Sequence, residues 1–151
     1  HSKPVLHHIS ISHPMKKLFF SLPVLLITAL SFTACKKDPS FEERITGEWR
    51  SVNVKLNGND VTNYFSLDLE LQSDKDFKAT LKTTDIFSGD MTTTNPKGEW
   101  SAADSEEIEL TYDDTDESET YEVIEFSDDE LVVETDQNGD KIEIIFERIE
   151  E

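Results

Sequence analysis

The residues that could carry nucleophilic or transition-metal chemistry lie at the beginning of the chain. The histidines are His1, His7, His8 and His13, and the single cysteine is Cys35. Histidine and cysteine build Ser-His-Asp and Cys-His nucleophilic sites and most zinc and copper centres. Beyond residue 35 the sequence contains neither residue type, so its remaining options are carboxylate acid–base chemistry and the binding of hard cations by oxygen ligands.

Carboxylates are abundant, but their spacing defines no site. The chain has 33 acidic residues, which are densest in the run DDTDESE at 113–119. A second run places Asp136, Asn138 and Asp140 at alternate positions. Neither run has the spacing of an EF-hand loop, and solvated hairpin tips explain both better than calcium. Carboxylate pairs of the glycosidase type can be drawn in many ways, so none is informative. We predict no catalytic residue, no metal site and no cofactor.

The elements that carry these residues divide the chain into two parts of different composition. Residues 1–34 contain three lysines and no acidic residue. From Met15 they have the charged start, apolar middle and small-residue end of a signal peptide. The apolar stretch from Leu18 to Leu30 is shorter than the about 20 residues of a membrane span, which disfavours a permanent anchor helix. We interpret 15–34 as a signal peptide and 1–14 as an upstream leader or cloning-derived segment.

The end of this segment, SFTAC, resembles the lipobox of bacterial lipoproteins. In that family small residues precede a cysteine that is lipidated and becomes the mature N-terminus, and here Thr33 and Ala34 precede Cys35. The resemblance implies a lipid on Cys35 and a tether at 35–40. The Lys-Lys-Asp at 36–38 resembles the surface-export signals of some Gram-negative lipoproteins, which implies a location in the envelope of a Gram-negative bacterium, in its outer membrane. The alternative is a free exported thiol, since Cys35 has no possible disulfide partner within the chain.

The rest of the chain is strongly acidic. Its 117 residues hold 11 basic and 33 acidic side chains. Binding to nucleic acid requires a basic surface that neutralises phosphates, so nucleic acid and anionic lipid headgroups are disfavoured as partners. Solubility and self-repulsion beside a membrane are the simplest explanation for so much negative charge.

Short runs of alternating apolar and polar residues fill 41–151, which we interpret as one domain. In SLDLELQS, Leu67, Leu69 and Leu71 face one way, a pattern typical of half-buried antiparallel strands. Asn138-Gly139 has the composition of a type I′ hairpin turn. The pattern predicts strands at 47–57, 66–73, 76–87, 90–102, 106–113, 118–127, 130–136 and 141–149. Such a series forms a sandwich or a barrel, and closure removes exposed edges. We predict an all-β fold, a single antiparallel up-and-down β-barrel of about eight strands.

Two strands break their own alternation. Along an unbroken strand, Trp49 would lie on the same face as Ser51 and opposite Val52. The first strand therefore requires a bulge, or Trp49 precedes the strand proper. In YEVIEF, Tyr121 and Val123 oppose Ile124 and Phe126, which predicts a second bulge. Residues 60–65 could form a helical turn with Asp60 as its N-cap.

Two Gly-Glu-Trp tripeptides, at 47–49 and 98–100, complete the set of motifs. The first resembles the lipocalin fingerprint, a Gly-x-Trp at the start of the first strand. That resemblance implies that Trp49 closes one end of the barrel, that Arg148 on the last strand stacks over it, and that Gly47 makes the close turn. We interpret the second copy as a core tryptophan, Trp100, beside a glycine that permits close packing.

Two functions are compatible with a lipocalin-like barrel. The first is binding of a small apolar ligand, because a barrel of eight strands can hold one small molecule. The candidate cavity residues are the inward positions Leu67, Leu69, Phe77, Leu81, Trp100, Ile108, Leu110, Tyr112, Ile144 and Phe146. The second is a structural or interaction module with a solid core, whose loops meet an envelope protein or a glycan. Its candidate surface consists of the loop residues Tyr64, Phe65, Phe87 and Met91.

Overall fold

A computed structural model of the chain describes residues 37–104 and 106–150. The helix and strands in this part are α1 (Phe41–Ile45), β1 (Gly47–Leu56), β2 (Asn59–Asp60), β3 (Phe65–Leu71), β4 (Asp76–Thr84), β5 (Met91–Thr94), β6 (Lys97–Ala103), β7 (Glu107–Tyr112), β8 (Ser118–Phe126), β9 (Glu130–Gln137) and β10 (Asp140–Arg148). The predicted signal peptide and Cys35 lie outside the described residues. None of the helices within them is long and apolar enough to cross a membrane.

The strands form one closed antiparallel sheet. Each long strand pairs with the next along the chain, and β10 pairs with β1 to close the ring. Strands β5 and β6 both pair with β4, and they do so in one continuous register. Lys78 faces Lys97 on β6, and three residues further along β4 Leu81 faces Thr94 on β5, three residues earlier in the chain. Pro96 separates the two strands, which together occupy one place in the barrel. The result is an eight-strand lipocalin-like barrel, which confirms the predicted fold class.

The predicted irregularities occur where alternation fails. The register of β1 against β10 shifts between Ser51 and Asn53, so Trp49 and Val54 both point inward although they differ in parity. The register of β8 against β9 shifts between Val123 and Glu125. Both bulges are confirmed. A bulge lets a strand change which of its two faces points toward the core, and on β1 it allows both Trp49 and Val54 to be buried.

The turns follow their local sequence. Asn138 and Gly139 have φ of 56° and 88°, as the predicted type I′ turn requires. At 62–64 the chain makes a single turn, closed by the Tyr64 N–H and the Val61 carbonyl, and Asp60 accepts a hydrogen bond from the Thr62 N–H.

Helix α1 is an element that the strand pattern did not predict. Ser40 is its N-cap and accepts a hydrogen bond from the Glu43 N–H, while the Glu43 carboxylate accepts one from the Ser40 N–H. This reciprocal pair is a capping box, and the spacing Ser40-x-x-Glu43 is its sequence signal. The helix is part of a compact unit, Pro39–Glu151, with its own closed sheet and core. A unit of this kind can fold by itself.

Inward strand positions from all around the barrel supply the core. Leu67, Leu69 and Leu71 are all buried, as their alternation predicts. The prediction for the second Gly-Glu-Trp is also confirmed, since Trp100 is buried. A Cβ atom at Gly98 would lie 1.9 Å from the Thr111 carbonyl oxygen, so only glycine lets β6 and β7 approach this closely here.

The barrel has two ends of different construction. The closed end consists of α1 and the connections 72–75 and 127–129. The open end consists of the connections 57–64, 85–90, 113–117 and 138–139.

Candidate ligand-binding cavity

Arg148 and Trp49 seal the closed end of the barrel. The guanidinium carbon of Arg148 lies 4.2 Å from the centroid of the Trp49 ring. The same guanidinium donates hydrogen bonds to the carbonyls of Arg44, Thr46 and Asp128, the second at 3.0 Å. Because its planar fork carries several donors, one arginine can stack on the ring and hold both α1 and the 127–129 connection.

The indole of Trp49 completes this arrangement. Its Nε1 donates to the Ile45 carbonyl at 2.8 Å, and the ring is fully buried. Trp49 and Arg148 therefore satisfy three consecutive carbonyls at the C-terminal end of α1, which the helix itself leaves without partners. Gly47 has a φ of 138°, and a Cβ there would lie 2.6 Å from Arg148 Nη1. The three residues that the lipocalin resemblance singles out thus meet at one point.

Two further cations lie over aromatic rings at the same end. The guanidinium of Arg44 is 4.7 Å from the centroid of the Phe126 ring and pairs with the Asp128 carboxylate at 2.9 Å. The ammonium of Lys75 is 4.3 Å from the centroid of the Trp100 ring. Each contact is worth about 0.5–2 kcal/mol, depending on how dry it is.

A cavity of about 130 Å³ lies in the half of the barrel toward the open end. Seven of the ten predicted cavity residues line it, namely Leu67, Leu69, Phe77, Leu81, Leu110, Tyr112 and Ile144. Ile108 and Phe146 line a deeper void of about 20 Å³, together with Leu131 and Val133. Of these two cavities, the larger lies toward the open end and the smaller lies deeper in the barrel.

Trp100 lines neither of these two cavities. Its Nε1 donates to the Gln72 carbonyl at 2.9 Å, and Lys75 covers its ring. The predicted cavity role of Trp100 is thus replaced by a packing role at the closed end. Alternation along a strand predicts which side chains face the core. It does not predict where along the barrel axis the core contains a cavity.

The cavity also contains a carboxylate from the run 113–119, Glu119, and the prediction that this residue belongs to a solvated hairpin tip is wrong. Glu119, on β8, lines the cavity beside Tyr112, Tyr121 and Gln137. Its Oε2 accepts hydrogen bonds from the Tyr112 hydroxyl at 2.7 Å and from the Tyr121 hydroxyl at 2.8 Å. Its Oε1 accepts one from Gln137 Nε2. We call these four residues the Glu119 cluster. Alternation along β8 is the sequence signal for the position of Glu119. Glu119, Tyr121 and Val123 are alternate residues, so they point to the same, inward face.

The cluster keeps its tyrosines protonated. Burial, and then the neighbouring Glu119 carboxylate, raise the pKa of Tyr112 well above its usual value. Burial and the charge of Glu119 also raise the pKa of Tyr121 strongly. A phenolate beside a carboxylate in a partly dry site is disfavoured by both effects. Both hydroxyls therefore remain hydrogen-bond donors throughout the physiological range.

The acidic runs at the hairpin tips have local roles. The Asp136 carboxylate accepts from the Gly139 N–H at 3.0 Å, and the Asp140 carboxylate accepts from Asn57 Nδ2 at 2.8 Å. Within 37–104 and 106–150, no three His, Cys, Asp or Glu side chains converge as they would around a metal ion. These carboxylates shape the turns and charge the open end.

Comparison with known proteins gives one family. The family model described as "Lipocalin-like domain" matches residues 45–133, which is more than half of the chain. Comparison with curated proteins finds no match.

Solved structures share the barrel at low sequence identity. A redesigned β-barrel is 13% identical with a TM-score of 0.51, over 76% of this chain and 99% of its own. A lipocalin-like protein from Bacteroides uniformis is 18% identical with a TM-score of 0.45, over 70% and 99%. Bovine odorant-binding protein, in complex with a selenium-containing odorant, is 11% identical with a TM-score of 0.47, over 77% and 76%. At these identities the likeness to the redesigned barrel concerns the fold alone.

Proposed function

Because the chain belongs to the lipocalin-like domain family, we propose that it is a non-catalytic carrier that binds one small, largely apolar molecule inside its barrel. The single observation that carries this proposal is the cavity of about 130 Å³ in the open half. Most of its lining side chains are aliphatic or aromatic, as in most small-molecule sites.

The size of the cavity limits the ligand. A protein cavity of about 150 Å³ lined by apolar side chains binds benzene. A space of about 130 Å³ therefore accommodates a body of roughly one six-membered ring, with further atoms extending toward the open end. Long acyl chains and multi-ring compounds do not fit without movement of the strands.

Native mass spectrometry of the unit 39–151, exported to the periplasm of its host and purified without detergent, tests this function. We expect a reproducible extra mass that organic solvent removes. A clean apoprotein mass, together with no binding of small aromatic probes, would contradict the carrier function.

The carrier is also proposed to be anchored by lipid to the envelope of a Gram-negative bacterium. The lipobox-like SFTAC at 31–35 supports this location, since it places Cys35 a few residues before the N-cap of α1. Cys35→Ala in the full chain is expected to release the protein into the soluble fraction and to block cleavage before residue 35. Unchanged membrane retention and processing would exclude the anchor.

A second candidate function is an interaction module whose open-end loops bind an envelope protein or a glycan. Its support is the 85–90 connection and the strand after it, where Ile86, Phe87 and Met91 are 66%, 99% and 69% exposed. Exposed apolar side chains grouped in this way mark interaction sites. A stoichiometric partner captured from envelope extract by the wild type but lost in Phe87→Asp would favour this function. The control is Ile124→Ser, which alters an exposed apolar residue on the barrel wall.

A further inference from the structure

The Glu119 cluster is an unusual feature for a cavity that binds a purely apolar molecule. Placing a carboxylate in a partly dry site is unfavourable unless it is hydrogen-bonded and its charge is compensated. Here the first condition is met by the Tyr112, Tyr121 and Gln137 donors. The second is not met, because none of the cavity-lining residues is a lysine or an arginine.

The carboxylate also keeps an unused acceptor position. Two donors reach Oε2 and one reaches Oε1, whereas a carboxylate offers about four lone-pair positions. In the part of the chain that the structure describes, the six ion pairs all involve other acidic residues. Oε1 can therefore accept one more donor, and the charge favours a donor that is itself a cation.

The connections around the open end of the barrel also favour a cationic ligand. The four connections of the open end contain no lysine or arginine and seven acidic residues, which are Asp60, Asp85, Asp90, Asp113, Asp114, Asp116 and Glu117. Charges of one sign around a cleft raise the local concentration of the opposite ion and its rate of association. Lys97 pairs with Asp113 and Lys141 follows the 138–139 turn, but the seven carboxylates leave the open end net negative. The open end therefore favours small cations over carboxylates and phosphates.

The aromatic walls of the cavity complete the match. Among the described residues, the three cation–π contacts lie at the closed end, over Trp49, Trp100 and Phe126. The rings of Tyr112 and Tyr121, which line the cavity, carry no cation of the described chain. Such faces attract an organic cation within about 6 Å.

We propose that the ligand is a small organic cation, namely a protonated amine whose ring-sized apolar body occupies the cavity and whose ammonium group donates to Glu119. The proposal rests on the carrier function and names its ligand class. Glu119 supplies the counter-charge, Tyr112 and Tyr121 fix the orientation of the carboxylate, and the aliphatic lining selects against strongly hydrated cations such as free lysine.

Three probes of similar size and different charge test this class. Benzylamine, toluene and benzoate are titrated into the unit 39–151 at fixed pH 7 and physiological salt, and binding is followed by NMR shifts of cavity residues. We expect benzylamine to bind at least about tenfold more tightly than toluene, which corresponds to one charge-assisted hydrogen bond. Benzoate is expected not to bind.

Two matched variants separate the cavity charge from the overall charge. Glu119→Gln removes the cavity carboxylate with little change in shape, and is expected to abolish the preference for benzylamine over toluene. Glu109→Gln removes an equal charge from an exposed outer position on β7 and is expected to leave that preference unchanged. If Glu119 had only a structural role, Glu119→Gln would lower the stability without changing the ratio of the two affinities.

The outcomes distinguish this inference from the function on which it rests. Equal binding of toluene and benzylamine by the wild type would overturn the cation class and leave the carrier intact. Binding of none of the three probes would overturn the cation class, and together with a clean apoprotein mass it would overturn the carrier function as well. Because the comparison of probes uses the wild type, it remains decisive even if Glu119→Gln fails to fold.

Discussion

The two ends of the barrel use the same kinds of residue in opposite ways. At the closed end, Arg148 lies over Trp49 and satisfies carbonyls of the chain, so cation and ring satisfy each other within the protein. At the open end, the hydroxyls of Tyr112 and Tyr121 donate to the Glu119 carboxylate, which forms no ion pair with a described residue. The charge at the closed end is fully used in contacts within the protein and stabilises the fold. The charge at the open end is available to interact with a ligand.

The largest loss of stability is expected from a substitution of Trp49 at the closed end. Trp49→Ala removes a fully buried indole and its hydrogen bond to the Ile45 carbonyl. Large-to-small changes of this kind cost about 3–5 kcal/mol in the free energy of unfolding. Urea denaturation of the unit 39–151, followed by circular dichroism, measures the loss. A cost below about 1 kcal/mol would show that the closed end does not stabilise the barrel.

A smaller effect is expected at Arg148. Arg148→Ala leaves the carbonyls of Arg44, Thr46 and Asp128 without this donor and should cost about 1–3 kcal/mol. The control Arg148→Lys keeps the charge but not the planar fork, so it should recover only part of the loss. Full recovery by lysine in the same urea experiment would mean that charge alone matters.

The open end should become sensitive to alkaline pH. The pKa values of Tyr112 and Tyr121 are raised above the usual value of about 10, so the unfolded chain ionises first. Their contribution to stability is complete below about pH 10 and is lost as the pH rises through the raised values. We expect the unfolding free energy to fall by about 1 kcal/mol or more between about pH 9 and pH 10.5.

The tyrosinate absorbance provides the internal check. Ionisation of Tyr112 and Tyr121 should coincide with unfolding and should occur at lower pH in Glu119→Gln, because one cause of the raised pKa is removed. Two tyrosines that ionise near pH 10 with the fold intact would contradict the hydrogen-bonded cluster.

The smallest effect is expected at Phe87, the open-end aromatic residue that contrasts most with Trp49. Its side chain is 99% exposed, so Phe87→Ala should change the free energy of unfolding by less than about 0.5 kcal/mol. The same denaturation series measures it. A larger loss would mean that the 85–90 connection packs on the barrel and is not a free surface.

Local sequence was sufficient for most of the barrel. Alternation along a strand follows from the pleat, so the inward set around Leu67, Leu69 and Leu71 could be predicted without any tertiary information. Broken alternation at Trp49 and in YEVIEF located both bulges, and Asn138-Gly139 located a type I′ turn. The capping box at Ser40 and Glu43 is an equally local signal, and its spacing marks the start of α1.

The candidate site was predicted only in part. The aliphatic lining followed from parity, but Trp100 did not join it, because parity contains no information on depth along the barrel axis. Glu119 was assigned to the solvated tip at 113–119, because the acidic run continues past the turn into the start of β8. A count of carboxylates cannot identify the one that is surrounded by donors.

The sequence by itself therefore determined the antiparallel strands, their bulges and turns, and the acidic character of the domain, since the first three depend on neighbours in the chain and the last on composition. Only the tertiary structure decided which side chains meet. Arg148 reaches carbonyls 102 and 104 positions earlier in the chain, and Glu119 gathers donors from β7, β8 and β9. Such distances depend on how the sheet closes and staggers its strands, a property of the whole ring that no single segment encodes.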